Sequence, residues 1–285
     1  MENKLIIRME IYVEGWLHHK NKRGMELMNG DDIRFHLDFN PNIKYDWIMN
    51  LSDIKDYTNC DKFIFGPQIM FPSIDINKIP INKKVYFNVL SRWMVNLCES
   101  IHTDYNFIDL PFAVDVDKFK PNSKSGKPII YFKQRDHKIL SDVTNNLGGD
   151  FIIFDYVKGY NEDDYINSIS NAPYIIWIGR HESQGFALQE ALSCDCPVFV
   201  IDVKSKREEN HKDSFWHTYL PGHELPATSA SYFDETCGLV CYPENWKENW
   251  DIFLNNIKKY KPRDFVLSNL SPSVCVKKWI NRLNE

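Results

Sequence analysis

The chain has 285 residues, of which 43% are apolar and 26% charged, with a net charge of −5. That balance favours a packed core over disorder and gives no basic excess of the kind wholesale nucleic-acid binding needs. The length suits one large domain or two ordinary ones. In chain order, MENKLIIRMEIYVEG comes first and is interrupted by Arg8 and Glu10, so it lacks the apolar stretch of a signal peptide. KLIIRMEIYV, IRFHLDF, YDWIMNL, KFIFGPQIMF and KKVYFNVL read as strands. Helix-like pieces lie between them, from Lys20 to Asn29 and at SRWMVNLCESIH. Strands alternating with helices predict parallel βαβ units, so residues 1–112 form a small α/β domain. The stretch from Asn106 to Pro128 ends in Ser, Lys, Gly and Pro and reads as a linker.

Beyond it the pattern is cleaner. PIIYFK is a strand, and DHKILSDVTNNLGG a helix closed by Gly148. FIIFDYV is a strand, and EDDYINSISNA a helix with acids in its first turn, where the macrodipole favours them. YIIWIG, a helix beginning near Gly185-Phe186, and the strand CPVFVID complete a β-α-β-α-β-α-β order, a Rossmann-like half. Residues 203–225 have no clear period and read as an insertion loop. WKENWDIFLNNIKKY and PSVCVKKWINRL read as closing helices, the last returning to the N-terminal domain. The predicted division is therefore 1–112 and 113–285. No apolar run reaches the roughly 20 residues of a membrane span. With a mean hydropathy of −0.43, the expectation is a soluble, cytoplasmic protein without a membrane span. Cys194 and Cys196 stand too close for a zinc knuckle and no second pair matches them, so the seven cysteines are expected as reduced thiols.

The chemistry concentrates in HESQGFALQEALSCDCPVFVID, residues 181–202. Ligands of doubly wound folds sit at the carboxyl ends of strands, where a following helix aims free amides that bind phosphate. Glu182 falls in the loop at that point and Glu190 about one turn into the helix. Gly185 lets a ligand approach the backbone. An ionised carboxylate only accepts hydrogen bonds, and sugar hydroxyls are matching donors. Two carboxylates flanking an anion-binding helix start thus suit a nucleotide-sugar, with hydroxyls at both ends and a diphosphate between.

ESQGFALQE, followed by a small-residue helix and PVFV, resembles the E-x7-E signature of retaining GT-B glycosyltransferases, most nearly family 4, also called group 1. Three further segments are similar to that family's: AVDVDKFKP at 113–121, YFKQRDHK at 131–138, and ATSASYFDETCGLV at 227–240. The resemblance covers about the C-terminal 170 residues. It implies an α/β fold of GT-B type, two Rossmann-like domains facing a cleft, the first of them small and on the acceptor side and the second binding a nucleotide-sugar. By that resemblance Glu182 contacts the donor sugar, Gly185, Phe186, Ala187 and Leu188 present turn amides to sugar and diphosphate with Ser183 and Gln184 beside them, and Glu190 holds the ribose. Lys133 and Lys138 take the place of the family's basic pair on the diphosphate, with Arg135 as an additional candidate.

The implied reaction moves a sugar from a UDP- or GDP-sugar to a hydroxyl of a glycan or other acceptor, with retention, with no metal and no cofactor. The departing phosphate would take the acceptor's proton, which fits the lack of an obvious side-chain base. The N-terminal part departs from the family. It is short and lacks the usual Gly-Gly turn, for which Glu14-Gly15-Trp16 is the nearest candidate. Gly15, Trp16, Arg92 and Trp93 are candidates for an acceptor-side wall, and His18, His19 and His102 for the family's histidine. A metal-dependent GT-A-like transferase using Asp115 and Asp117 is one alternative, and a sugar-nucleotide epimerase another. A third is a non-catalytic nucleotide-sugar-binding module that needs a partner.

Overall fold

The computed structural model describes residues 8–50, 60–67, 83–208 and 224–285. The chain divides into two units, Met1–Asp115 with Asn269–Glu285, and Val116–Ser268.

The first unit carries a six-stranded sheet, β1 (Met9–Val13), β2 (Ile33–His36), β3 (Trp47–Met49), β4 (Lys62–Phe65), β5 (Lys84–Asn88) and β6 (Phe107–Ile108). Its order is β2-β1-β3-β4-β5-β6 and every pair is parallel. Parallel pairing requires crossovers. Helices α1 (His19–Glu26) and α2 (Arg92–Ile101) belong to this unit. Phe63, Phe65, Val85 and Phe87 pack with Met94, Val95 and Cys98 of α2. The predicted strand KFIFGPQIMF ends at the cis Gly66–Pro67 bond, and its remainder lies outside the described residues. The start of KLIIRMEIYV lies outside them as well.

The unit is completed by a helix far along the chain, Pro272–Asn284. Its Trp279 is buried, packs edge-on to Phe35 at 5.3 Å, and donates its indole N–H to the Pro111 carbonyl at 2.8 Å. The N–H of Val114 also bonds the Leu270 carbonyl at 3.0 Å.

The second unit carries β7 (Ile129–Phe132), β8 (Ile152–Asp155), β9 (Ile175–Ile178), β10 (Val198–Ile201) and β11 (Gly238–Cys241), in the order β11-β10-β9-β7-β8, again all parallel. IIYF, IIWI and VFVI are buried along their whole length, as a parallel sheet covered on both faces requires. The helices among its described residues are α3 (His137–Leu147), α4 (Glu162–Asn171), α5 (Phe186–Ser193), α6 (Trp246–Asn256) and α7 (Pro262–Asn269), so the Pro272–Asn284 helix is α8.

Capping follows the sequence. Asp136 accepts the Lys138 amide and Asn161 those of Asp163 and Asp164, while Gly148 closes α3 with φ 60°. On one face of the sheet Ile130, Phe132, Ile176 and Phe199 pack with Val143 of α3 and with Trp246 and Phe253 of α6. Neighbouring positions on β7 and β9 place Tyr131 flat on Trp177, with ring centroids 4.0 Å apart and planes 2° from parallel.

The structure adds elements that periodicity did not disclose. These are β6 inside the predicted linker, β11 and α7. The predicted insertion loop contains a 3-10 turn at Lys206–Glu208 and an antiparallel bridge from Ser205 to Pro226, while residues 209–223 lie outside the described residues.

Candidate functional site

The second sheet reverses its winding at β7, which has β8 on one side and β9 on the other. Ligand crevices of open α/β sheets form at such a switch point, outside the carboxyl ends of the strands. Two of the sequence-predicted residues meet there. Lys133 follows β7 directly, and its Nζ lies 2.5 Å from Glu182 Oε1. Side-chain exposures of 10% and 15% make this a largely desolvated pair. The Lys133 ammonium also sits 4.4 Å from the centre of the Tyr156 ring, which follows β8 and is 45% exposed. Cation and aromatic face attract at that range.

Between β9 and α5 the chain must turn back toward the sheet. Gly185 supplies the bend at φ 82°, ψ 47° as the N-cap of α5. A side chain there would meet both the left-handed backbone penalty and the Cβ of Glu182 at 3.4 Å. The helix start that follows offers the amides of Phe186, Ala187 and Leu188, which lack partners within the helix itself. Gln184 is buried behind the turn, where its Nε2 donates to Gln189 Oε1 at 3.1 Å and its backbone carbonyl accepts from Gln189 Nε2 at 2.5 Å. Ser183 is half-buried in the turn. Glu190 is buried on the second turn of α5.

Below the pair lies a tyrosine cluster that the sequence analysis missed. Tyr131 and Tyr160 bring their hydroxyls within 3.4 Å, and Tyr165 donates to the Ala187 carbonyl at 2.7 Å. Burial pushes the Tyr160 phenol up to about 12, with the nearby Glu190 and Glu182 charges adding to the rise. Burial raises Tyr131 and Tyr165 as well. All three are neutral at neutral pH. The signal was present, because Tyr131 and Lys133 stand two apart and so share a face of the strand.

The other basic candidates lie differently. Arg135 is buried, and its guanidinium donates to the carbonyls of Gly179 at 2.9 Å, Ile201 at 3.2 Å and Asp202 at 3.2 Å. Burial lowers its pKa, and Glu208 and Asp202 oppose that. It ties the ends of β9 and β10 together. Lys138 is exposed on the first turn of α3.

In the first unit the winding reverses at β1, between β2 and β3. Glu14-Gly15-Trp16 occupies that switch point. Asn50, just past β3, donates its amide to the carbonyls of Glu14 and Trp16, both at 2.7 Å. Gly15 has φ 76°, and Trp16 is 72% exposed. His18 caps α1 by accepting the Lys20 amide at 3.3 Å, and its ring lies 4.3 Å from that of His19. The structure does not bring the remaining candidates to this point. Arg92 pairs with Asp109 at 3.0 Å, Trp93 packs against the core beside α2, and His102 follows α2 against Tyr105. Asp115 is half-buried and Asp117 exposed in the turn after it. Among the described residues no group of three or more His, Cys, Asp or Glu side chains could hold a metal ion. Among them, too, no helix is long and apolar enough to cross a membrane.

No protein-family model matches the chain, and no curated protein matches it. Among solved structures, the crystal structure of TarM superposes with a TM-score of 0.53 at 13% identity, over 84% of this chain and 55% of that one. The chain thus spans about half the length of TarM. Sucrose-phosphate synthase from Thermosynechococcus elongatus gives a TM-score of 0.49 at 10% identity, over 84% of this chain and 73% of that one. The likeness to TarM is one of fold. The chain has the α/β fold of GT-B type, with Rossmann-like units built on parallel sheets.

Proposed function

We propose that this protein is a retaining, metal-independent glycosyltransferase that takes its sugar from a nucleoside diphosphate donor. The observation that carries this reading is the Lys133–Glu182 pair at the β7/β9 switch point, set directly before the left-handed Gly185 and the start of α5. A fold hosts many functions, and the chemistry lies in this site.

The diphosphate fits between Lys133 and the amides of Phe186, Ala187 and Leu188, where a cation and a helix start both favour negative charge. Glu182 accepts hydrogen bonds from the donor sugar, and Glu190 from the ribose. As the bond from sugar to phosphate breaks, charge grows on the departing diphosphate. Lys133 and the helix amides stabilise that charge more in the transition state than before it. Lys138, exposed on the first turn of α3, supplies a second positive charge for the diphosphate. The sugar becomes oxocarbenium-like, and the acceptor hydroxyl attacks on the face the phosphate leaves. Its proton passes to a phosphate oxygen, which retains the anomeric configuration without a side-chain base. We take the acceptor to be a glycan or another hydroxyl compound.

The test is a panel of UDP-, GDP- and ADP-sugars, assayed for binding and slow hydrolysis with and without EDTA. Release of one nucleotide at a rate EDTA does not change is expected. Release that requires Mn²⁺ would favour Asp115 and Asp117 instead. Binding without turnover would favour a donor-binding module that works with a partner.

A further inference from the structure

Asp202 follows β10 and is a buried carboxylate that the proposed chemistry does not use. It is fully engaged. Its Oδ1 accepts from the Val203 amide at 2.8 Å, the Ser229 amide at 2.6 Å and the Ser229 hydroxyl at 2.7 Å. Its Oδ2 accepts from the Thr228 hydroxyl at 2.6 Å. Three of these four donors belong to residues 228 and 229. Hydrogen bonds to an ionised acceptor are the strong kind, so this carboxylate fixes the 228–229 backbone firmly.

That backbone in turn holds Glu182. The Thr228 carbonyl accepts the Glu182 amide at 3.0 Å, and the Ser231 hydroxyl donates to the Glu182 carbonyl at 2.5 Å. The Thr228 hydroxyl also accepts the Ala230 amide at 3.0 Å, which closes the loop on itself. Glu182 lies between β9 and α5, outside both the sheet ladder and the helix. Its peptide groups are therefore satisfied by a loop that is distant in sequence. Arg135 braces the same corner from below through the Asp202 carbonyl.

We propose that Asp202 is a positioning residue, which sets the Glu182 carboxylate through residues 228–231. The proposal rests on the reading that Glu182 faces the donor sugar. Misplacement of a reacting group by about 1 Å can cost on the order of 100-fold in rate. A loosened Glu182 should therefore lower turnover while leaving the diphosphate contacts of Lys133 and α5 intact.

Asp202→Asn keeps volume and Oδ1 but replaces the acceptor facing the Thr228 hydroxyl with a donor. Ser231→Ala removes the hydroxyl that donates to the Glu182 carbonyl. Both variants are measured for kcat with the best nucleotide-sugar, for Kd of the product nucleotide, and by hydrogen exchange of the peptide that contains Glu182. The expected result is a fall in kcat of about 10- to 100-fold, a Kd within about 3-fold, and exchange at Glu182 faster by about 10-fold or more. Unchanged exchange would overturn the proposal, as would faster exchange with undiminished kcat. An equal loss in kcat and nucleotide affinity would also overturn it, since the whole site would then have been disturbed. If Asp202→Asn does not fold, Thr228→Val, which removes the hydroxyl that donates to Asp202 Oδ2, decides on the same criteria. Wild-type protein inert to every nucleotide-sugar would sink the transferase reading, and the exchange measurement would still decide whether this network holds Glu182.

Discussion

The Lys133–Glu182 contact lends itself to a double-mutant cycle, with Lys133→Met, Glu182→Gln and the two combined. At 2.5 Å two unit charges attract by roughly 6–7 kcal/mol at an effective dielectric of about 20. Desolvation of two largely buried ions offsets several kcal/mol of that. A coupling of about 1.5–3 kcal/mol should remain, the range of a charged hydrogen bond. Each single variant leaves one charge without its partner, so each should cost more than half of what the double variant costs. Urea unfolding at pH 7 gives the stabilities of the wild type and the three variants, and the m-value checks that the transition is unchanged. Additivity to within about 0.5 kcal/mol would refute the reasoning, because the two groups would then be no more than neighbours. The cycle has a functional arm as well. Glu182→Gln leaves Lys133 charged and unneutralised, so nucleoside diphosphate affinity should hold or rise while sugar transfer falls.

Glu190→Gln should weaken nucleoside diphosphate binding about 10- to 150-fold, the equivalent of about 1.5–3 kcal/mol; calorimetry showing less than about a 3-fold change would remove Glu190 from the ribose. Burial holds the Cys196, Cys237, Cys241 and Cys275 thiols up at about 12. Native protein should therefore react slowly with a thiol reagent at pH 8 and denatured protein fast. Because these thiols ionise later in the folded state, they favour folding fully below the unfolded thiol pKa, and that contribution is lost as pH rises toward 12; stability that climbed between pH 9 and 11 would contradict this. Trp279→Ala should destabilise the first unit by about 3–5 kcal/mol, and a loss under about 1 kcal/mol by chemical denaturation would mean that the ring is not part of that core.

Much of the second unit was legible because a parallel sheet covered on both faces writes itself as short, uninterrupted apolar runs. IIYF, IIWI and VFVI needed no partner to be recognised. The end of IIWI then located Glu182 at a carboxyl edge, while Lys133 came in through the resemblance of YFKQRDHK. Their pairing with each other was not legible, since it depends on β7 lying beside β9 rather than on any spacing along the chain. Arg135 shows the limit from the other side. The resemblance offered Arg135 as an additional cation for the diphosphate, yet here carbonyls freed at the ends of β9 and β10 supply acceptors enough to bury it. GLVC has only four residues and carries too little pattern to be read as a strand. In the first unit the alternation of strand and helix was readable, whereas the switch-point turn depends on Asn50 reaching Glu14 and Trp16 from another strand.

The return of α8 to the first unit bears on how the protein is made. Residues 116–268 are contiguous, so the second unit has its whole sequence available while synthesis is still under way. The first unit, though begun earlier, cannot seat Trp279 against Phe35 and Phe112 until that tryptophan has emerged. Translation order and folding order are thus reversed. A nascent chain interrupted before residue 279 would carry a finished C-terminal unit behind an N-terminal one with its apolar surface still uncovered, a natural substrate for chaperones.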